Sequence, residues 1–138
     1  MTTRPPAQSA GPDGPVPFTL TPAAHDALDF PPIVCLCGST RFVDEFNRQR
    51  RDLTRAGQIV LAIEIVTTQA AADDPQHADP ELKTRLDELH KRKIDLADYV
   101  LILNVGGYIG ESTRAEITYA HQHGKPVRYL HPRLAPAA

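Results

Sequence analysis

The sequence predicts one α/β domain built on an open parallel sheet. Three observations carry this. Three short apolar runs, 33–37, 59–63 and 99–103, and a final short strand-like stretch, 127–130, alternate with three longer stretches of helical period. The first run, Ile33-Val34-Cys35-Leu36-Cys37, has no polar alternation, as expected of a strand buried on both faces. Gly38 ends that run, and the glycine-rich stretch Asn104 to Gly110 follows the third. Ligands of such sheets bind beyond the carboxyl ends of the strands, where strand order reverses.

The elements follow in order. Eight of the 13 prolines fall in the first 32 residues, with Arg4, Asp13, Asp26 and Asp29 the only charged side chains there. Pro5-Pro6, Gly11-Pro12 and Gly14-Pro15 exclude helix, so residues 1–31 read as a flexible tail. Phe18, Leu20, Leu28 and Phe30 are available to pin its end to the domain, which spans 32–138. The first strand, 33–37, precedes a helix over 42–56, with Phe42, Phe46 and Leu53 inward and Arg48, Arg50, Arg51 and Asp52 outward. Gly57 supplies its left-handed end. After the second strand, 59–63, the stretch Thr67 to Pro80 has no period and reads as a functional loop or lid. Asp79 and Pro80 suit the cap and first position of the next helix, whose stripe is Leu82, Leu86, Leu89 and Ile94. The third strand, 99–103, leads to the glycine-rich loop, a helix over about 113–123 and a last strand, 127–130. Right-handed crossovers then give a flavodoxin-like (Rossmann-like) doubly wound sheet, ordered second, first, third, fourth strand.

Composition narrows the function. Residues 33–138 carry 14 basic and 14 acidic side chains, so no net field attracts a nucleic acid polymer or an anionic membrane. No apolar stretch approaches the ~18 residues of a membrane span. The N-terminal stretch lacks the apolar centre of a signal peptide, so the cytoplasm is the default location. Cys35 and Cys37 share one strand face and read as reduced core thiols. His121 and His123 lie two apart on a helix, do not share a face, and read with His131 as solvated. No metal or cofactor is expected.

Two segments can bind a ligand. In Gly38-Ser39-Thr40-Arg41 a tight turn, two hydroxyls, helix-start amides and a guanidinium make an anion cradle; otherwise Thr40 only caps the helix. In Asn104 to Thr113, the glycines, Gly107 and Gly110 among them, let backbone approach a ligand beside Tyr108 and Ser112. Thr113 and Glu116 fit a capping box, which is one role for Glu116. The other is a carboxylate in the first helical turn, kept ionised by the helix end and facing the crevice as a nucleophile.

Ile33 to Phe42 together with Asp95 to Leu130 resembles the nucleoside 2-deoxyribosyltransferase family, including the deoxynucleoside 5′-monophosphate N-glycosidases. The most telling piece is Glu116-Ile117-Thr118-Tyr119-Ala120 followed by Gly124-Lys125-Pro126-Val127. The resemblance implies cleavage of an N-glycosidic bond in a nucleoside or nucleoside 5′-monophosphate, by hydrolysis or base transfer, with Glu116 as nucleophile. It places Gly38, Ser39 and Arg41 along the crevice and Ser112 on a 5′-phosphate, and implies a homodimer or higher homo-oligomer. The family pattern has an aspartate eight residues before the acidic residue that opens the third strand; here that position is His90. His90 is a helix-surface residue by default, or a proton donor to the leaving base; Asp87 and Asp95 are the neighbouring acids. Asn104 also stands where transferases carry an aspartate.

Two other readings stay open. One is a nucleotide-binding module without turnover. The other is a cysteine-dependent phosphatase, since five residues separate Cys35 and Arg41. Against the phosphatase, Leu36 and Cys37 continue the strand past Cys35, and Phe42 replaces the hydroxyl residue expected after the arginine.

Overall fold

The structure, a computed structural model, describes residues 21, 23, 29–63 and 80–137. The pinning role given to Phe18, Leu20 and Leu28, the lid expected over 67–79 and the Asp79 cap lie outside the described residues. The chain divides into two units, residues 1–30 and 31–138, and the sheet belongs to the second.

Four parallel strands, β1 (Ile33–Cys37), β2 (Ile59–Leu61), β3 (Tyr99–Ile102) and β4 (Val127–Tyr129), pair in the order β2-β1-β3-β4. Helices α1 (Val43–Arg55), α2 (Pro80–Leu96) and α3 (Glu111–Gln122) alternate with them. This is the expected doubly wound, flavodoxin-like arrangement. β1 and β3 are central, which is why their runs are apolar on both faces. Val34, Leu36 and Leu103 pack with Phe46 of α1 on one side of the sheet. Cys35, Cys37, Val100 and Ile102 pack with Ile94, Ile117 and Ala120 from α2 and α3 on the other.

Strand order reverses between β1 and β3, and there the chain is tightest. The Leu103 amide donates to the Cys37 carbonyl at 2.8 Å. A Cβ on Gly38 would lie 3.2 Å from Leu103 Cβ and 3.3 Å from its carbonyl oxygen, so glycine is what lets the two loops leave side by side.

Several residues of the family-like pattern are scaffold. The Lys125 ammonium donates to the carbonyls of Asp95 and Ala97 at 2.9 and 2.8 Å, closing the C-terminal end of α2. Gly124 takes φ 68° in the turn that ends α3. Asp98 accepts from the Ile33 amide at 2.7 Å and its own amide donates to the Ile33 carbonyl, tying the start of β1 to the start of β3.

Three expectations need correction. First, α3 begins at Glu111 with Gly110 at its cap, so Thr113 lies inside the helix and is buried. The capping box of Thr113 and Glu116 therefore does not exist, and Glu116 sits in the second turn. Second, Leu89 is 50% exposed, whereas His90 is buried. The inward stripe of α2 steps through Leu86, His90 and Ile94, and the leucine at 89 gave the phase one residue early. Third, Asn104 is fully buried with its carboxamide used in both directions. It donates to the His131 carbonyl at 3.0 Å and accepts from the His131 amide at 2.9 Å. It clamps the end of β3 to the segment after β4 and is no ligand contact.

An ionised aspartate cannot donate to that carbonyl. Asn104→Asp is expected to cost about 2–3 kcal/mol at pH 7. The loss should shrink at acidic pH, where the carboxyl regains a proton to donate. Urea denaturation at the two pH values checks this, and an unchanged midpoint at pH 7 would refute the clamp.

Candidate active site

At the carboxyl ends of β1 and β3 lies a cleft of about 230 Å³. The β1 loop lends it Gly38, Ser39 and Thr40, and the loop after β3 lends Tyr108 and Gly110. Glu111, Ser112, Thr113 and Glu116 of α3 line it too, as do Lys83 and Asp87 of α2 and Ile63.

Each wall has a local cause. The Ser39 hydroxyl accepts from the Arg41 amide at 3.3 Å and so caps a short 3-10 turn, Thr40–Phe42; Ser39, not Thr40, is the cap. The first intrahelical bond of α3 runs from Arg114 to Gly110, which leaves the amides of its first turn without backbone partners inside the helix. With Gly110, Glu111, Ser112 and Thr113 all lining the cleft, those amides border a site that suits an anion. Tyr108 bridges the two loops. The Arg41 guanidinium stacks over its ring at 4.1 Å, and Phe42 meets it edge-on at 6.0 Å between centroids.

Among the expected site residues, then, Gly38, Ser39, Thr40, Tyr108, Gly110, Ser112 and Glu116 come together at the cleft. Arg41 holds Tyr108 from outside it, Gly107 backs onto Leu134, and Asn104 is the clamp already described. Of the two alternative acids, Asp87 faces the cleft. Asp95 accepts from the Tyr119 hydroxyl at 2.7 Å and pairs with Arg92 at 2.9 Å.

Lys83 is the main residue that sequence reasoning missed. Its ammonium lies 3.0 Å from Asp87 and 3.4 Å from the Ser112 hydroxyl, bridging α2 to the start of α3. Its spacing of four from Asp87 was readable, but as an ordinary surface pair. Only the α2–α3 packing turns it into a cleft residue.

Beneath Glu116 is a polar cluster. His90 Nε2 lies 3.8 Å from Glu116 Oε1, 3.3 Å from Cys37 Sγ and 3.8 Å from Cys35 Sγ. His90 is therefore not a surface residue and does not line the cleft; it meets the cleft through Glu116. The expectation of a carboxylate kept ionised by the helix end also fails. Burial pushes the Glu116 pKa up to about 7, against the opposing pull of His90 and of a hydrogen bond from the Cys37 thiol. Cys35 is lowered to about 6, chiefly by its hydrogen bond with Cys37 and, against the cost of burial, by His90. Burial disfavours the His90 imidazolium, but its hydrogen bond and charge interactions with Cys35, helped by Glu116, outweigh that and raise its pKa. Cys37 is pushed well up by Cys35 and by burial.

No family model, curated protein or solved structure matches the chain.

Cys35 lies in the middle of β1, fully buried and in register with Leu61 on one side and Val100 on the other. A phosphatase thiolate would have to sit inside the loop, so that chemistry does not fit. Cys37 is also buried, and both are free thiols. His121, His123 and His131 are exposed, as expected. Among the described residues no helix is long and apolar enough to cross a membrane.

The raised pKa of Glu116 has a sign that can be tested. A carboxyl whose folded value lies near 7 rather than 4.5 favours the folded state when protonated. Its contribution is present below about pH 4.5 and is lost as pH rises through about 7. The stability of the wild type minus that of Glu116→Gln should therefore fall across this window and level off above it. Urea denaturation across the range, with reductant and chelator present, measures the difference. A flat difference would mean that Glu116 ionises as an ordinary surface carboxylate.

Proposed function

We propose that this chain cleaves the N-glycosidic bond of a nucleoside or nucleoside 5′-monophosphate through Glu116. The observation that carries the reading is a buried carboxylate, Glu116, on the lining of a small cleft that it shares with Asp87, Glu111 and the open amides of a helix start. The resemblance of Glu116 to Ala120 and of Gly38 to Arg41 to the deoxyribosyltransferase pattern points the same way.

The steps follow from the chemistry of carboxylates at an anomeric carbon. Ionised Glu116 attacks that carbon, the carbon–nitrogen bond breaks, and its electron pair leaves with the base. Asp87, another carboxyl of the cleft lining, gives the departing nitrogen a proton, which requires its pair with Lys83 to open. Water, or a second base, then takes the glycosyl group from Glu116 with Asp87 as the base. His90 is a positioning residue: its charge favours the ionised carboxylate that the attack needs. The cleft is smaller than the roughly 300–1,000 Å³ of most small-molecule sites, so it suits the sugar and phosphate, with the base toward its mouth. Lys83, Ser39 and the Ser112 hydroxyl and amide are the groups for a 5′-phosphate.

The test is a panel of nucleosides and their monophosphates, with free base followed by chromatography. Glu116→Gln should lower turnover by orders of magnitude while the fold and substrate binding survive. Lys83→Ala should raise KM for monophosphates by about tenfold and leave nucleosides little changed, as expected for about 1.4 kcal/mol of phosphate binding. Nucleotide binding without base release would support a binding module instead. Adding a second base separates transfer from hydrolysis.

The same reading carries a homo-oligomer, with a neighbouring subunit helping to close the cleft. The sheet ends in β2 and β4, and α2 leaves Leu89 and Leu96 exposed. Light scattering at micromolar concentration should give at least a dimer; a monomer counts against it.

A further inference from the structure

The cluster under Glu116 contains three metal-ligating side chains from two elements. Cys35 and Cys37 project from the same face of β1, and His90 enters from α2. The three donor atoms lie within 4.8 Å of one another, and each residue is buried. Both Cys–His separations, 3.3 and 3.8 Å, run to the same ring atom, Nε2. With bonds of about 2.3 Å to sulfur and 2.0–2.1 Å to nitrogen, a tetrahedral ion holds neighbouring donors about 3.5–3.8 Å apart. The two Cys–His spacings lie either side of the sulfur–nitrogen value, about 3.5 Å, and the two sulfurs lie within 4.8 Å of each other. Glu116 Oε1, 3.8 Å from Nε2, covers a further side and is also part of the cleft wall, which gives an entry path.

Structural duty accounts poorly for this group. Four ionisable side chains occupy space beneath a sheet that valine or leucine would fill at less cost. Their hydrogen bonding is also incomplete, since among the described residues His90 Nδ1 is buried without a partner. We propose that Cys35, Cys37 and His90 form a binding site for one thiophilic divalent cation of the Zn²⁺ class, its fourth position open toward Glu116 and the cleft. Two sulfurs and an imidazole select against Mg²⁺ and Ca²⁺. As the two sulfur–metal bonds form, the thiol protons leave to solvent. This site does not depend on glycosidase activity, because its ligands are defined by β1 and α2.

The test uses the full, tag-free chain, reduced and stripped with a chelator, and titrated with Co²⁺ alone. Expected are one Co²⁺ per chain, intense visible bands of a tetrahedral ion and a near-ultraviolet thiolate-to-cobalt band, all displaced by Zn²⁺. Cys37→Ser and His90→Gln should each weaken binding at least ~100-fold, since even outer-shell changes cost 10–100-fold. Glu116→Gln should weaken it less and keep the thiolate band. A wild-type spectrum without that band overturns the proposal whatever the variants do. So does a folded Cys37→Ser, checked by circular dichroism, that binds as tightly as the wild type.

Discussion

The approach of Gly38 to Leu103 is the constraint on which this molecule turns. β1 and β3 are buried on both faces, so they pack as neighbours in the middle of the sheet, and their chains must then diverge at once. A side chain at 38 would press on the Leu103 backbone and move one loop off the other. With glycine there, the β1 loop and the loop after β3 leave side by side, and Arg41 stacked on Tyr108 holds them across the gap. The cleft is the space left between two strands that can touch only up to that point.

What fills the floor of that space follows from the two-residue period of β1. Val34 and Leu36 face α1, so Cys35 and Cys37 must face α2 and α3. Ser39, next in that alternation, has already left the sheet and lines the cleft. The thiols thus lie directly below the hydroxyl wall, and His90 and Glu116 meet them from the two helices. Burial alone would leave Glu116 protonated at neutral pH, while His90 and Cys37 pull it back toward ionisation. The balance sets its pKa near neutrality, where small changes beneath it alter its charge.

The sheet was readable because central parallel strands must be apolar on both sides, a requirement that shows in any short run. Helix phase was less readable. In α2 the leucines at 82, 86 and 89 and Ile94 suggest one stripe, yet the helix turns His90 inward and leaves Leu89 exposed. A histidine partnered by thiols and a carboxylate is as buriable as a leucine, but those partners come from β1 and α3 and are invisible in the local sequence. The start of α3 was misplaced for a similar reason. Thr113 and Glu116 have capping-box spacing, but Gly110 begins the helix three residues earlier and Thr113 is spent on packing. Asn104 looked like a site residue because it ends a strand beside a glycine-rich loop. Its true partner is the His131 backbone, 27 residues away.

The family-like pattern therefore mixes two kinds of residue. Asp98, Gly124 and Lys125 close backbone at the far ends of strands and helices, and any chain with this topology could use them. Gly38, Ser39, Ser112 and Glu116 border the cleft and carry the chemical argument. Glu116 lines the cleft and borders the buried cluster, 3.8 Å from His90 Nε2. The two proposals are thus linked at one residue while resting on different ones. The first proposal holds a sugar phosphate through Lys83 and Ser112, and the second a cation through Cys35, Cys37 and His90. Whatever occupies the cluster must change the charge that Glu116 presents to the cleft.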